Sequence, residues 1–117
     1  MRTAGLTKQD GTVVCARCAI ADNPWTRMRG LLGRASLAPD EGLLIRPAGS
    51  IHMAFMRFAI DAVFIDSAGR VVRVAERLAP WRFGIGARGA RDVLELPAGA
   101  AGATGTQAGD ELVFEPA

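Results

Sequence analysis

The 117-residue sequence contains one lysine, one histidine and two cysteines, and these shortages exclude several kinds of site. A structural zinc ion normally takes four Cys or His ligands, and this chain has three such residues in all, so no metal site is predicted. Cys15 and Cys18 lie in a segment typical of a β-strand, where residues three apart point to opposite faces. We therefore expect two inert, half-buried thiols with diverging sulfur atoms.

Long apolar runs are also missing. A membrane helix needs roughly 18 uncharged residues, and His52 and charged residues interrupt the richest apolar stretch, 51–66. The first eleven residues lack the apolar core of a signal peptide. We expect a cytoplasmic chain without membrane contact, in which residues 1–11 form an N-terminal tail and residues 12–115 form one globular domain.

Clustered positive charge is absent as well. Lys8 is the only lysine among the 14 basic residues, the arginines are scattered, and the formal net charge is +2. Nucleic-acid binding requires a clustered basic face and is not predicted. Residues 84–89 match the G-x-G-x-x-G pattern, but they follow a loop and precede a strand rather than a helix. No dinucleotide or other cofactor is therefore predicted.

Half of the residues are apolar, and Gly and Pro divide them into short segments. These segments predict about seven strands, at 12–20, 42–45, 51–56, 62–66, 70–76, 92–96 and 111–114. The long segment 78–90 is expected to be a surface loop. Short strands with frequent turns favour a mainly β domain, either a β-sandwich or a partly open barrel.

One good helix is predicted from Pro24 to about Leu32, with Asp22 or Asn23 as its N-cap and Gly33 at its end. The expected apolar face consists of Trp25, Met28, Leu31 and Leu32. Three arginines remain for the solvent side or for a ligand: Arg27, Arg29 and Arg34.

Asp61 is a charged residue in an apolar stretch, so it needs a partner if it is buried. One interpretation is structural: its carboxylate accepts backbone N–H bonds at the corner after Phe58. The other is functional: Asp61 and His52 face a ligand in a common pocket.

The leading functional hypothesis is a binding domain with a pocket at this polar cluster. Its expected ligand-binding residues are Arg34, His52, Met56, Asp61, Trp81 and Arg82. The arginines favour a small anionic ligand or an acidic peptide. One alternative is an acid–base enzyme that uses His52 and Asp61 as its catalytic pair. Another is a protein-interaction module that offers an edge strand or an exposed apolar patch to a protein partner.

Several short motifs follow one another in a specific order along most of the chain. They are 27–34 (RMRGLLGR), 41–44 (EGLL), Ile51-His52 with Met56, 60–66 (IDAVFID), 93–99 (VLELPAG) and Gly109-Asp110. This order resembles the domain of unknown function 192 family of small prokaryotic proteins, over about Thr12 to Phe114. The resemblance implies a compact, mainly β, sandwich-like domain and no established biochemical activity.

Two positions depart from the family pattern. Ala59 stands where the family usually has a proline, two residues before the central aspartate. Ala48 stands where similar sequences often have a cysteine ahead of the Ile-His pair. The second departure argues against a nucleophile or a metal centred on His52.

Overall fold

The computed structural model, which describes residues 2–116 and only the backbone of Pro116, is built on one strongly curled β-sheet. Nine strands and two short helices occur within these residues. In chain order they are β1 (Thr3–Lys8), β2 (Val13–Ala21), α1 (Pro24–Arg29), β3 (Glu41–Ile45), β4 (Ser50–Ile51), β5 (Ile60–Ile65), β6 (Val71–Leu78), β7 (Ile85–Gly86), β8 (Asp92–Pro97), α2 (Ala100–Ala103) and β9 (Leu112–Pro116). Neither helix is long and apolar enough to cross a membrane.

Seven strands form the main sheet in the order β6-β5-β8-β3-β2-β1-β9. Neighbours are antiparallel except for β2 and β3, which are parallel and are connected through α1. The two edge strands approach each other at one end, where Arg70 bridges Glu111 and the Val71 N–H donates to the Asp110 carbonyl at 2.8 Å. The sheet is therefore a curled half-barrel, which confirms the mainly β prediction and its partly open barrel form.

The central strands β3, β5 and β8 are buried on both faces, and their side chains alternate between two apolar clusters. The inner cluster draws on all seven strands and contains Leu6, Val14, Cys15, Cys18, Leu44, Val63, Ile65, Val71, Leu94, Leu96 and Leu112. The outer cluster contains Ala21, Leu31, Leu43, Ile45, Met53, Met56, Ile60, Ala62, Phe64, Ala75, Leu78, Ile85 and Val93. The turn after α1, through Leu31 and Leu32, and the irregular segments around β4 and β7 cover this outer face.

Helix α1 is shorter than predicted. Asn23 caps its start in a reciprocal capping box with Thr26, and Pro24 occupies the first turn as expected. Gly30, not Gly33, ends the helix: its φ is +50° and its N–H donates to the Thr26 carbonyl. The predicted apolar face is only partly buried, because Leu31 enters the core from the turn after the helix while Trp25 and Met28 remain exposed.

The predicted strand 51–56 is largely irregular. Only Ser50–Ile51 pairs, with Ile85–Gly86 inside the segment predicted as a loop. Phe55 adopts a left-handed conformation (φ 61°), which interrupts regular β-strand geometry.

The predicted N-terminal tail is also wrong, because residues 3–8 form β1 between β2 and β9. Ala4 and Leu6 alternate into the protein on this strand, and Leu6 is fully buried. One leucine is a weak sequence signal, and the strand is stabilised by partners that lie far away in the sequence.

The two cysteine side chains point to the same face, against the prediction. Cys18 lies opposite Ala4 and Cys15 lies opposite Leu6. Strand β2 therefore has one more residue than β1 between these two pairs. This β-bulge leaves Ala16 and Arg17 both exposed and turns both thiols into the inner cluster. Each thiol perturbs the other: Cys15 raises the pKa of Cys18, and Cys18 lowers the pKa of Cys15. Burial raises the pKa of Cys18 further.

Candidate functional site

A cavity of about 350 Å³ lies on the outer face, between α1, the segment after β3, and β8. Its apolar wall contains Leu31, Leu32, Ile45, Ile51 and Met56. Its polar lining includes Arg27, Arg29, Ser50, His52 and Glu95. An apolar wall with a few converging polar groups is the usual composition of a small-molecule site.

Glu95 belongs to the floor of this cavity and is only 5% exposed. It lies in the middle of β8, opposite Leu43 of β3 and Ala62 of β5. No hydrogen bond or ion pair to its carboxyl group is found among residues 2–116. Burial alone raises the pKa of Glu95 to about 7. A buried carboxyl group without a protein partner in a cavity is a candidate ligand-binding or proton-transfer group.

Arg27 reaches the same cavity from α1. Its Nη1 donates to the Pro47 carbonyl at 3.1 Å, which anchors the guanidinium beside the cavity. Its Nε is buried and has no acceptor among the described residues. Burying an N–H without an acceptor is unfavourable, so this guanidinium is incompletely satisfied by the protein.

His52 and Met56, both predicted as ligand-binding residues, line this cavity. The Nδ1 of His52 accepts the Ala54 N–H at 3.3 Å, so the neutral ring carries its proton on Nε2 and can donate from there. The His52 ring also stacks on Phe83, with ring centroids 6.4 Å apart.

Asp61 does not join His52. It is fully buried on β5, where Oδ1 accepts the Arg77 N–H at 2.8 Å and Oδ2 accepts those of Gly99 and Ala101 at 3.0 and 2.9 Å. These three bonds tie β5 to the end of β6 and to the start of α2. The carboxylate accepts backbone N–H bonds, as the structural interpretation expected, but their donors are not at the corner after Phe58. The acid–base pair with His52 is not formed.

The remaining predicted residues lie around the cavity rather than in it. Arg34 forms a 3.0 Å ion pair with Glu41 and lines a separate hollow beside Trp25. Trp81 and Arg82 lie in a loop next to the His52 segment: the Met53 N–H donates to the Arg82 carbonyl, and the Trp81 N–H to the Met53 carbonyl.

These two segments, residues 52–57 and 80–83, form what we name the aromatic loop pair. Phe55, Trp81 and Phe83 are 70%, 55% and 65% exposed, and the Phe55 and Trp81 rings lie 4.7 Å apart between centroids. Phe55 and Trp81 both have positive φ, a conformation that is uncommon for large side chains. The surrounding segments 42–60 and 77–91 contain no acidic residue.

Metal binding has no support from this arrangement. Among residues 2–116, no three His, Cys, Asp or Glu side chains are grouped closely enough to hold a metal ion.

The sequence interpretation missed Glu95, although a signal was present. Glu95 is the one charged side chain between Val93 and Pro97, a segment otherwise composed of apolar residues. An acid at the centre of a strand that is buried on both faces is unusual and marks a candidate site.

Comparison with known proteins gives consistent matches. The model of the DUF192 family, described as Uncharacterized ACR, matches residues 5–114. A UPF0127 protein of Thermococcus sibiricus is 36% identical over 118 residues, covering 94% of this chain and 73% of that protein. A UPF0127 protein of Pyrococcus furiosus is 41% identical over 95 residues, covering 79% and 81%.

Two crystal structures share the fold. A protein from Sinorhizobium meliloti, whose description names a transcription regulator, has a TM-score of 0.81 and 28% identity, covering 97% of this chain and 92% of that one. A protein of unknown function from Novosphingobium aromaticivorans also has a TM-score of 0.81, with 24% identity and coverage of 95% and 83%.

The role of Asp61 leads to a stability prediction. In Asp61→Asn, one acceptor oxygen becomes a donor that faces backbone N–H groups, so we expect a loss on the order of 3 kcal/mol in the free energy of unfolding. Urea denaturation measures this loss. Asp66→Asn is the control, since Asp66 accepts two N–H bonds in an exposed turn and should lose about 1 kcal/mol or less. Equal losses in both variants would contradict the assignment.

The raised pKa of Glu95 predicts a pH dependence of stability. Between the ordinary value of 4.5 and about 7, the folded chain holds a proton that the unfolded chain releases, so stability falls as the pH rises through this range. The full difference is about 3 kcal/mol at 1.36 kcal/mol per pKa unit.

Glu95→Gln should remove this pH dependence, because the amide does not titrate. Urea denaturation of both proteins at pH 5 and pH 8 measures the effect, and Glu111→Gln, at an exposed ion pair, should behave like the unmodified chain. An unchanged slope in Glu95→Gln would show that Glu95 titrates normally.

Proposed function

The chain belongs to the DUF192 family, and from its cavity we propose that it is a binding domain for a small anionic ligand. The observation that carries this proposal is the incompletely satisfied guanidinium of Arg27 at an apolar-walled cavity. The ligand supplies an anionic acceptor for this guanidinium, and its apolar part packs on Leu31 and Met56.

Other features of the cavity support an anion. Arg29 adds a second positive charge to the lining, and His52 offers a donor at Nε2. Guanidinium groups bind carboxylates and phosphates through charge-assisted hydrogen bonds, which are stronger than neutral ones. The single acid of the lining, Glu95, is half protonated near pH 7 and therefore opposes an anion only weakly.

Isothermal titration calorimetry at pH 7 tests the proposal with three probes: 4-methylpentanoate, its uncharged amide, and inorganic phosphate. We expect at least one anion to bind saturably, and 4-methylpentanoate to bind at least tenfold more tightly than its amide. Arg27→Gln should weaken anion binding at least tenfold, which corresponds to about 1.4 kcal/mol.

Arg70→Gln is the matched control, since Arg70 pairs with Glu111 at the surface and does not line the cavity. Arg27→Lys keeps the positive charge but not the guanidinium group, and it serves as a second test variant if Arg27→Gln does not fold. The proposal fails if neither anion binds below about 10 mM, or if Arg27→Gln binds the anions as tightly as the unmodified chain does.

The aromatic loop pair supports a second candidate function, the binding of an acidic segment of a protein partner. Exposed Phe55, Trp81 and Phe83 lie in segments that carry Arg57 and Arg82 and no acid. Aromatic side chains and arginine are enriched at protein interfaces, and positive charge selects an acidic partner.

Fluorescence anisotropy with labelled peptides tests this candidate. A peptide of alternating Glu and Phe should bind more tightly than one of alternating Lys and Phe. Trp81→Asn should weaken that binding at least fivefold, since asparagine accepts the positive φ of this position but lacks the ring. Trp25→Gln is the control on α1. Equal affinity for both peptides, or no effect of Trp81→Asn, would exclude this function.

A further inference from the structure

The cavity holds two opposite charges that the protein keeps apart. Glu95 lies on the sheet and Arg27 on the covering helix, and both line the same space. They form no ion pair within 4.0 Å, and burial is the sole cause of the perturbed pKa of Glu95. The Glu95 carboxyl group has no hydrogen-bond partner among the described residues, and the Arg27 guanidinium has only a partial set.

A ligand of one charge serves only one of these groups. A simple anion satisfies Arg27 but further desolvates the Glu95 carboxylate, which must then take up a proton. A simple cation satisfies Glu95 and leaves the Arg27 guanidinium without an anionic partner. A ligand with both charges satisfies the two groups together, with Glu95 in its ionised form.

We propose that the ligand is a zwitterion with a free ammonium and a free carboxylate, an amino acid or a short peptide, bound between Glu95 and Arg27. Its carboxylate accepts from Arg27 and its ammonium donates to Glu95. This inference rests on the proposed function, of which it specifies the ligand class.

The remaining lining indicates the side chain of this ligand. Leu31, Leu32 and Met56 give the cavity an aliphatic wall. A volume of about 350 Å³ is at the small end of ligand pockets, which suits a single residue or a dipeptide. An aliphatic amino-acid side chain fits this wall.

Two pairs of probes isolate the ammonium group, and isothermal titration calorimetry at pH 7 compares them. L-Leucine differs from 4-methylpentanoate, and glycyl-leucine from N-acetyl-leucine, by the ammonium group alone. Leucinamide and glycyl-leucinamide remove the carboxylate charge. If the ammonium group strengthens binding in the L-leucine pair, the ligand is an amino acid. If it strengthens binding in the glycyl-leucine pair instead, the ligand is a short peptide.

In the unmodified chain, one zwitterion should bind at least tenfold more tightly than its ammonium-free partner. Glu95→Gln should reduce that ratio to about one while leaving the affinity for the ammonium-free acid undiminished. Arg27→Gln should weaken both members of the pair at least tenfold. Circular dichroism of each variant checks the fold, and Arg70→Gln should leave every affinity unchanged.

The two proposals fail in different ways. If the ammonium-free acids bind as tightly as the zwitterions, or if Glu95→Gln leaves the ratio unchanged, the zwitterion proposal is overturned and anion binding stands. If the amides bind as tightly as the acids, the carboxylate has no role and both proposals are overturned. If no probe of either pair binds, the zwitterion proposal is overturned, and phosphate binding alone would sustain the anion site.

Discussion

Three strands in the middle of the sheet are covered on both faces, so each acidic side chain buried on them must be neutralised inside the protein. The chain meets this constraint in three ways. Asp61 accepts three backbone N–H bonds, and Asp92 pairs with Arg46 at 3.1 Å. Glu95 has neither kind of partner and takes a raised pKa instead. The first two acids hold the scaffold together, whereas the third is available to a ligand.

This contrast explains how far the candidate site follows from the sequence. His52 and Met56 were predicted as pocket residues, and both line the cavity, because they share a short segment that crosses the outer face. Asp61 had two interpretations that only its three donors could separate. Two of those donors, Gly99 and Ala101, lie about forty residues from Asp61 in the sequence, so no local sequence pattern predicts them. Glu95 was overlooked because the cover of a strand face becomes known only in three dimensions.

The fold shows the same division between local and distant determinants. The hairpin of β5 and β6 follows from two apolar segments on either side of a turn at Gly69, and the structure contains it. The convergence of Cys15 and Cys18 does not follow from their spacing, because the bulge in β2 exists only through its register with β1. Strand β1 was itself predicted as a tail, so one missed strand concealed the arrangement of the next.

The outer face differs from the inner one in what covers it. Strands enclose the inner cluster, whereas the turn after a short helix and irregular loops cover the outer one. Binding residues lie disproportionately on such loops. His52 connects the two features of this cover: its side chain lines the cavity and also stacks on Phe83 of the aromatic loop pair. An occupant of the cavity that displaces the His52 ring therefore changes the surface presented at Phe83. The cavity and the exposed aromatic surface therefore share one side chain, the His52 ring.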